Sequence, residues 1–151
     1  MNTYAHKPPQ AIVLSCIDFR FHEKLKDELK KEKINSFDLL CLAGGAKNLA
    51  SPSKKIYQQI VIDNIKLAQK LHKIKMVVLC NHIDCGAYLP VGALALPKPT
   101  TKRRLAKAGG GSSQFKNIEK EIKFHQAELK KAENLIKKLF PDLRIKVVLL
   151  E

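Results

Sequence analysis

Cys16, Asp18 and Arg20 stand within one five-residue stretch, and His82 and Cys85 stand three apart far downstream. Thiolate and imidazole are ligands that zinc prefers, and zinc takes four donors in a tetrahedron. The spacing of His82 and Cys85 lets both point at one ion from a tight turn. Cys16 adds a third donor if its segment lies beside theirs, since neighbouring strands run about 4.8 Å apart. Two thiolates cancel the charge of Zn²⁺. Three protein ligands plus water make a catalytic site, whereas four make a structural one. Asp18 is the candidate fourth ligand. Arg20, two residues on, faces the same side if the segment is extended, and its guanidinium can grip the carboxylate through paired hydrogen bonds. Gripped in that way, Asp18 stays off the metal and accepts a hydrogen bond from metal-bound water, which ionises near pH 7. Both roles of Asp18 are open at this stage. Gly44 and Gly45 lack the spacing of a dinucleotide loop and read as a tight turn bringing backbone up to the site. Gly86, next to Cys85, belongs to the same backbone surround. Asp84 reads as a turn carboxylate capping the segment that follows it.

These residues need strands to hold them. Apolar runs at 11–16, 37–42, 75–80 and 144–150 are continuous rather than alternating. That pattern suits strands of a parallel sheet covered on both faces. Helical patterns at 22–33, 51–72 and 113–140 fall between them. In the second, Ile56, Ile60, Leu67 and Leu71 form one stripe, widened by Tyr57, Val61, Ile65 and Ala68. In the third, Phe115, Ile118, Ile122, His125, Leu129, Ala132, Ile136 and Leu139 follow a three-then-four spacing, the mark of a packing seam. His125 reads as a packed or interface histidine. Cys41 and Cys80 lie inside strands and read as core. Residues 89–112, with their prolines, the basic run Lys102-Arg103-Arg104 and Gly109-Gly110-Gly111, read as a mobile loop. The expected fold is therefore α/β, an open, mostly parallel four-stranded sheet with helices on both faces. One domain spans 1–151, with the zinc site in 10–88 and a long helix and last strand in 113–151. Ligands of such sheets bind beyond the carboxyl ends of the strands, where Cys16 and the His82–Cys85 turn fall.

Composition narrows the function classes. The chain has 151 residues and is 45% hydrophobic, enough for a core without staples. No run approaches a membrane span, and the first ten residues hold no secretory apolar stretch. Four cysteines are too few for a disulfide scaffold, so a reducing, cytoplasmic compartment is expected. The net charge of +14 suggests an anionic partner. The lysines, however, interleave with glutamates as on solvated helix faces, and three Tyr, six Phe and no Trp offer little for base stacking. Nucleic acid is not the expected partner.

The motifs Ser15-Cys16-Ile17-Asp18-Phe19-Arg20, Ala43-Gly44-Gly45-Ala46 and Asn81-His82-Ile83-Asp84-Cys85-Gly86 resemble those of the β-class carbonic anhydrases. That family carries Cys-x-Asp-x-Arg and His-x-x-Cys-Gly, in this order, on a parallel α/β sheet. The resemblance covers residues 11–86. It implies Cys16, His82 and Cys85 as zinc ligands and Asp18–Arg20 as a catalytic dyad. It implies reversible hydration of CO₂ to bicarbonate by zinc-bound hydroxide, in a homodimer or higher homo-oligomer with sites near the interfaces. The chain departs from the family after the second strand, where Cys41-Leu42 stands in place of an Arg-Asn pair. That departure motivates the alternative of a catalytically weak or inactive zinc-binding domain with a binding or assembly role.

Overall fold

The computed structural model describes residues 7–89, 115 and 117–151. The expected loop beyond Leu89 and the stretch ahead of the last helix lie outside the described residues, apart from Phe115 and Asn117. Strands β1 (Ala11–Ser15), β2 (Phe37–Cys41), β3 (Met76–His82) and β4 (Arg144–Leu150) form one sheet in the order β2-β1-β3-β4. Every pairing is parallel. Helices α1 (His22–Lys31), α2 (Lys47–Ala50), α3 (Lys55–His72) and α4 (Ile118–Leu139) connect and cover it. The α/β class and the parallel sheet expected from the apolar runs are both present.

Alternate residues of the inner strands face opposite cores. Ile12, Leu14, Val77 and Leu79 meet Val61, Ile65, Leu129 and Ile136 of α3 and α4 on one face. Ala11, Val13, Val78 and Cys80 meet Leu25 and Leu29 of α1 on the other. Burial on both faces is why these strands read as unbroken apolar runs. Asn117 caps α4, its side chain accepting the Lys120 amide at 2.9 Å, and α3 stops at Lys73, whose φ is 56°.

The expectations shift at three places. The second helix begins at Lys55, after a separate short helix α2, rather than at Ser51. Its sheet-facing line is Val61, Ile65 and Ala68, while Ile56, Leu67 and Leu71 of the expected stripe are exposed. Two adjacent apolar lines cannot both face one sheet, and Leu67 and Leu71 fall beside the edge strand β2, where Leu39 is also exposed. The third apolar run extends through Asn81 and His82, so His82 stands on a strand end rather than in the turn. Cys80 is core, whereas Cys41, one strand nearer the sheet edge, is only half-buried. Among the described residues, no helix is long and apolar enough to cross a membrane.

Ile136 is fully buried between α4 and the sheet. Ile136→Ala is expected to lower unfolding free energy by about 2–5 kcal/mol, measured by urea denaturation.

Candidate metal centre

β1 and β3 are neighbours, and their carboxyl ends deliver Cys16 and His82 to one place. The turn after β3 adds Cys85. The candidate ligand atoms of Cys16, His82 and Cys85 all lie within 4.8 Å of one another, and all three residues are buried. The Sγ atoms of Cys16 and Cys85 are 3.9 Å apart. The contact with Cys85, helped by His82 and by the Gly44 N–H at 3.2 Å, outweighs burial and holds the Cys16 thiol down to about 4. Cys85 is pushed up by the Cys16 sulfur and by burial. For His82, burial opposes the charged ring, but the Cys16 sulfur and the Ile83 carbonyl outweigh it and raise the pKa.

The histidine is set for ligation. Its Nδ1 lies 2.6 Å from the Ile83 carbonyl, an acceptor only, so Nδ1 carries the proton. In the neutral ring Nε2 keeps its lone pair, buried and without a hydrogen-bond partner among the described residues. A buried polar atom without a partner is costly, and a metal ion satisfies it. Phe21 stacks on the ring at 4.2 Å between centroids and fixes its plane. Two sulfurs and an imidazole nitrogen with this outer support fit a metal ion.

Asp18 approaches but does not join the cluster. Its Oδ2 is 3.9 Å from His82 Nε2. Arg20 grips it instead: Nη2 donates to Oδ2 at 2.6 Å and Nε to Oδ1 at 3.0 Å. This grip, more than any other contact, holds the Asp18 carboxyl below its usual range. The geometry behind the grip is not the extended segment expected from sequence. Phe19–Phe21 is a tight 3-10 turn capped by Asp18, which also accepts the Arg20 amide at 3.1 Å. The turn folds Arg20 back over Asp18. Arg20 binds a second carboxylate as well, with Nη1 donating to Asp84 Oδ2 at 2.9 Å and Nη2 to the Asp84 carbonyl at 3.2 Å. Asp84 therefore clamps Arg20, rather than serving as the cap expected of it. Together the two carboxylates raise the Arg20 pKa.

Gly44 and Gly45 have φ of 85° and 52°, the tight turn expected of them. A Cβ on Gly45 would stand 2.4 Å from the Cys80 carbonyl, so β3 and this turn touch through backbone alone. At Gly86 a Cβ would meet nothing within 4 Å, so Gly86 is free of that constraint, though it lines the pocket. That pocket, about 730 Å³, opens from Cys16 and Cys85. Ile17, Phe19, Leu42, Ala43 and Leu89 give it apolar lining, and Lys47, Lys54 and Tyr57 line it as well.

Asn81, Glu121 and Glu128, near the centre, were not among the residues expected from sequence. Asn81 accepts the Ala46 amide at 3.1 Å and donates to the Tyr88 hydroxyl at 2.8 Å, tying the glycine turn to the metal loop. Glu121 and Glu128 are buried on α4 beside His125, which is fully buried. His125 is thus packed, between Tyr88 and Phe124, and burial pushes its pKa down. Glu128 accepts from Ser51 and pairs with Lys131 at 2.8 Å. Carboxylates one turn either side of a histidine on an apolar seam were the available signal.

Fold and centre together define a parallel α/β protein with a Cys–His–Cys site at its strand ends. A family profile described as "Putative carbonic anhydrase" matches residues 7–109, and the chain belongs to that family. It is 31% identical over 137 residues to an uncharacterized protein of Rickettsia conorii, covering 89% of this chain and 63% of that one. It is 30% identical over 137 residues to an uncharacterized protein of Rickettsia bellii, covering 89% and 71%. The chain therefore spans roughly two thirds of the length of these relatives. Among solved structures, a tetrameric β-carbonic anhydrase of Sordaria macrospora superposes with a TM-score of 0.52 at 16% identity, covering 95% of this chain and 76% of that one. The shared fold is thus that of a β-carbonic anhydrase.

Gly45→Ala is expected to destabilise the chain by at least about 1–2 kcal/mol from the left-handed φ alone, read as a lowered thermal midpoint. His82→Ala is expected to abolish stoichiometric metal binding while the sheet still folds, checked by elemental analysis and circular dichroism.

Proposed function

We propose that this protein is a zinc-dependent carbonic anhydrase, catalysing CO₂ + H₂O ⇌ HCO₃⁻ + H⁺. The observation that carries the proposal is the buried, unpartnered Nε2 of His82 set beside two sulfurs, with Asp18 held off them by Arg20. Cys16, His82 and Cys85 would hold the zinc ion, which when bound would supply the Lewis acidity that makes water a nucleophile near neutral pH. Asp18, 3.9 Å from His82 Nε2, would accept a hydrogen bond from the reacting water and so orient it. Arg20 keeps Asp18 in that role by occupying both carboxylate oxygens. CO₂ is apolar and would rest against Ile17, Leu42 and Ala43, while the positive charge of Lys47 and Lys54 in the pocket lining would attract bicarbonate, the anionic partner of the reaction.

The reading includes a homodimer or higher homo-oligomer. Phe19, 80% exposed beside the pocket, and Leu39, Leu67 and Leu71 along the β2 edge are surfaces that such an assembly would cover. It also includes a reducing, cytoplasmic setting, in keeping with four free cysteines among the described residues.

Stopped-flow CO₂ hydration on zinc-loaded protein tests the proposal. Activity well above buffer is expected, and Arg20→Ala is expected to lower it about 10²-fold or more while retaining zinc. One zinc per chain with no hydration above buffer would overturn the proposal in favour of a non-catalytic zinc domain.

A further inference from the structure

The geometry points to Glu121 of α4 as the positioning residue for the metal loop. This rests on the zinc reading of the centre and deepens it. The turn from His82 to Cys85 must bring two ligands from opposite sides of Asp84 onto one ion. It does so with Asp84 in the left-handed region, φ 55°, which aspartate enters more readily than most side chains but less readily than the right-handed region. Hydrogen bonds to its peptide hold it there. Glu121 Oε1 accepts the Asp84 amide at 2.5 Å. Across the same residue, Arg20 donates to both the Asp84 side chain and its carbonyl. The Asp84 peptide is thus held from below by α4 and from above by Arg20, and Arg20 in turn holds Asp18.

Burial argues that this contact is a specific one. Glu121 is 6% exposed, and a carboxylate is expensive to bury unless hydrogen-bonded. His125 Nε2 lies 3.6 Å from the same Oε1, closing off the side away from the loop. Other glutamates of α4, such as Glu133, reach lysines at the surface, and Glu128 turns to Ser51 and Lys131. Glu121 turns to the metal loop. A single carboxylate on α4 therefore supports the ligand turn directly and the Asp18–Arg20 pair through Asp84.

The test uses Glu121→Met, which keeps the bulk and removes the acceptor, and Glu121→Gln, which keeps a neutral acceptor. An apolar isostere at a buried ionic position usually folds. Glu128→Met on the same helix is the control. Three readouts are taken on the full chain: zinc affinity by chelator competition, the thiolate-to-metal band of the cobalt form, and exchange of the Asp84 amide in metal-free protein. E121M is expected to weaken zinc about 10–100-fold, shift the cobalt band and speed amide exchange about 10-fold or more. E121Q is expected to recover most of the affinity and band position, and its weaker neutral acceptor to leave exchange about 3-fold faster than wild type. E128M is expected to stay within about 3-fold of wild type in affinity. Wild-type affinity and exchange in E121M, or an equal loss in E128M, overturns the assignment. If E121M does not fold, an unchanged Asp84 exchange rate in E121Q overturns it. Wild-type protein that binds zinc without hydrating CO₂ refutes the proposed reaction and leaves this assignment standing. If zinc does not bind at all, amide exchange still decides the role of Glu121.

Discussion

The parallel ladder between β1 and β3 is short, running through Ile12↔Val77, Val13↔Val78 and Leu14↔Leu79. The whole site depends on it. Parallel pairing sends both carboxyl ends out of the same side of the sheet, one strand spacing apart. Cys16 leaves the end of β1 and His82 ends β3, so the ladder sets the distance between their ligand atoms. Because the sheet order is β2-β1-β3-β4, the chain leaves β1 toward β2 on one side and later returns to β3 on the other. Crevices form where the chain parts in this way, and the pocket opens there. A slip of one residue by either strand would turn that strand's side chains to the opposite face and take the cluster apart.

Around that ladder, backbone and charge are arranged to leave one position free. Gly45 lets its turn touch the Cys80 carbonyl, and Gly44 places an N–H against the Cys16 sulfur. The Ile83 carbonyl fixes the proton of His82 on Nδ1 and aims Nε2 inward. The carboxylate of Asp18, 3.9 Å from His82 Nε2, is withheld by a guanidinium that is itself clamped by Asp84. Three donors converge, and the fourth candidate is occupied elsewhere. The strength of this grip comes from its chemistry rather than from burial, since Arg20 is 38% exposed at its side chain. Paired, planar hydrogen bonds give direction even where water screens charge.

The charge of the chain reads differently beside this geometry. Several lysines sit on helix faces in pairs with glutamate or aspartate, as in Lys26–Glu23, Lys31–Glu28 and Lys137–Glu133. Surface pairs of this kind contribute little stability each. Lys47 and Lys54 differ, because they line the pocket itself.

Much of this was legible along the chain. Continuous apolar runs announced strands buried on both faces, because helices cover both sides of a parallel sheet. Cys16, His82 and Cys85 announced a cluster able to hold a metal ion, because thiolate and imidazole at such spacings have few other common uses. Gly44-Gly45 announced a turn that no side chain could enter. Other features depend on contacts between segments remote in sequence, and no local pattern carries those. Which of two apolar lines on α3 meets the sheet was settled by the position of the β2 edge. The reason Asp18 and Arg20 pair is a 3-10 turn, not strand alternation. Asp84 finds Arg20, and Glu121 finds the Asp84 amide, only after α4 packs beside β3. Residue types determine which chemistry is available to this protein. The packing of α4 and the β1–β3 ladder determines which groups are within hydrogen-bond reach to perform it, because hydrogen bonds demand distances near 3 Å that spacing along a chain cannot encode.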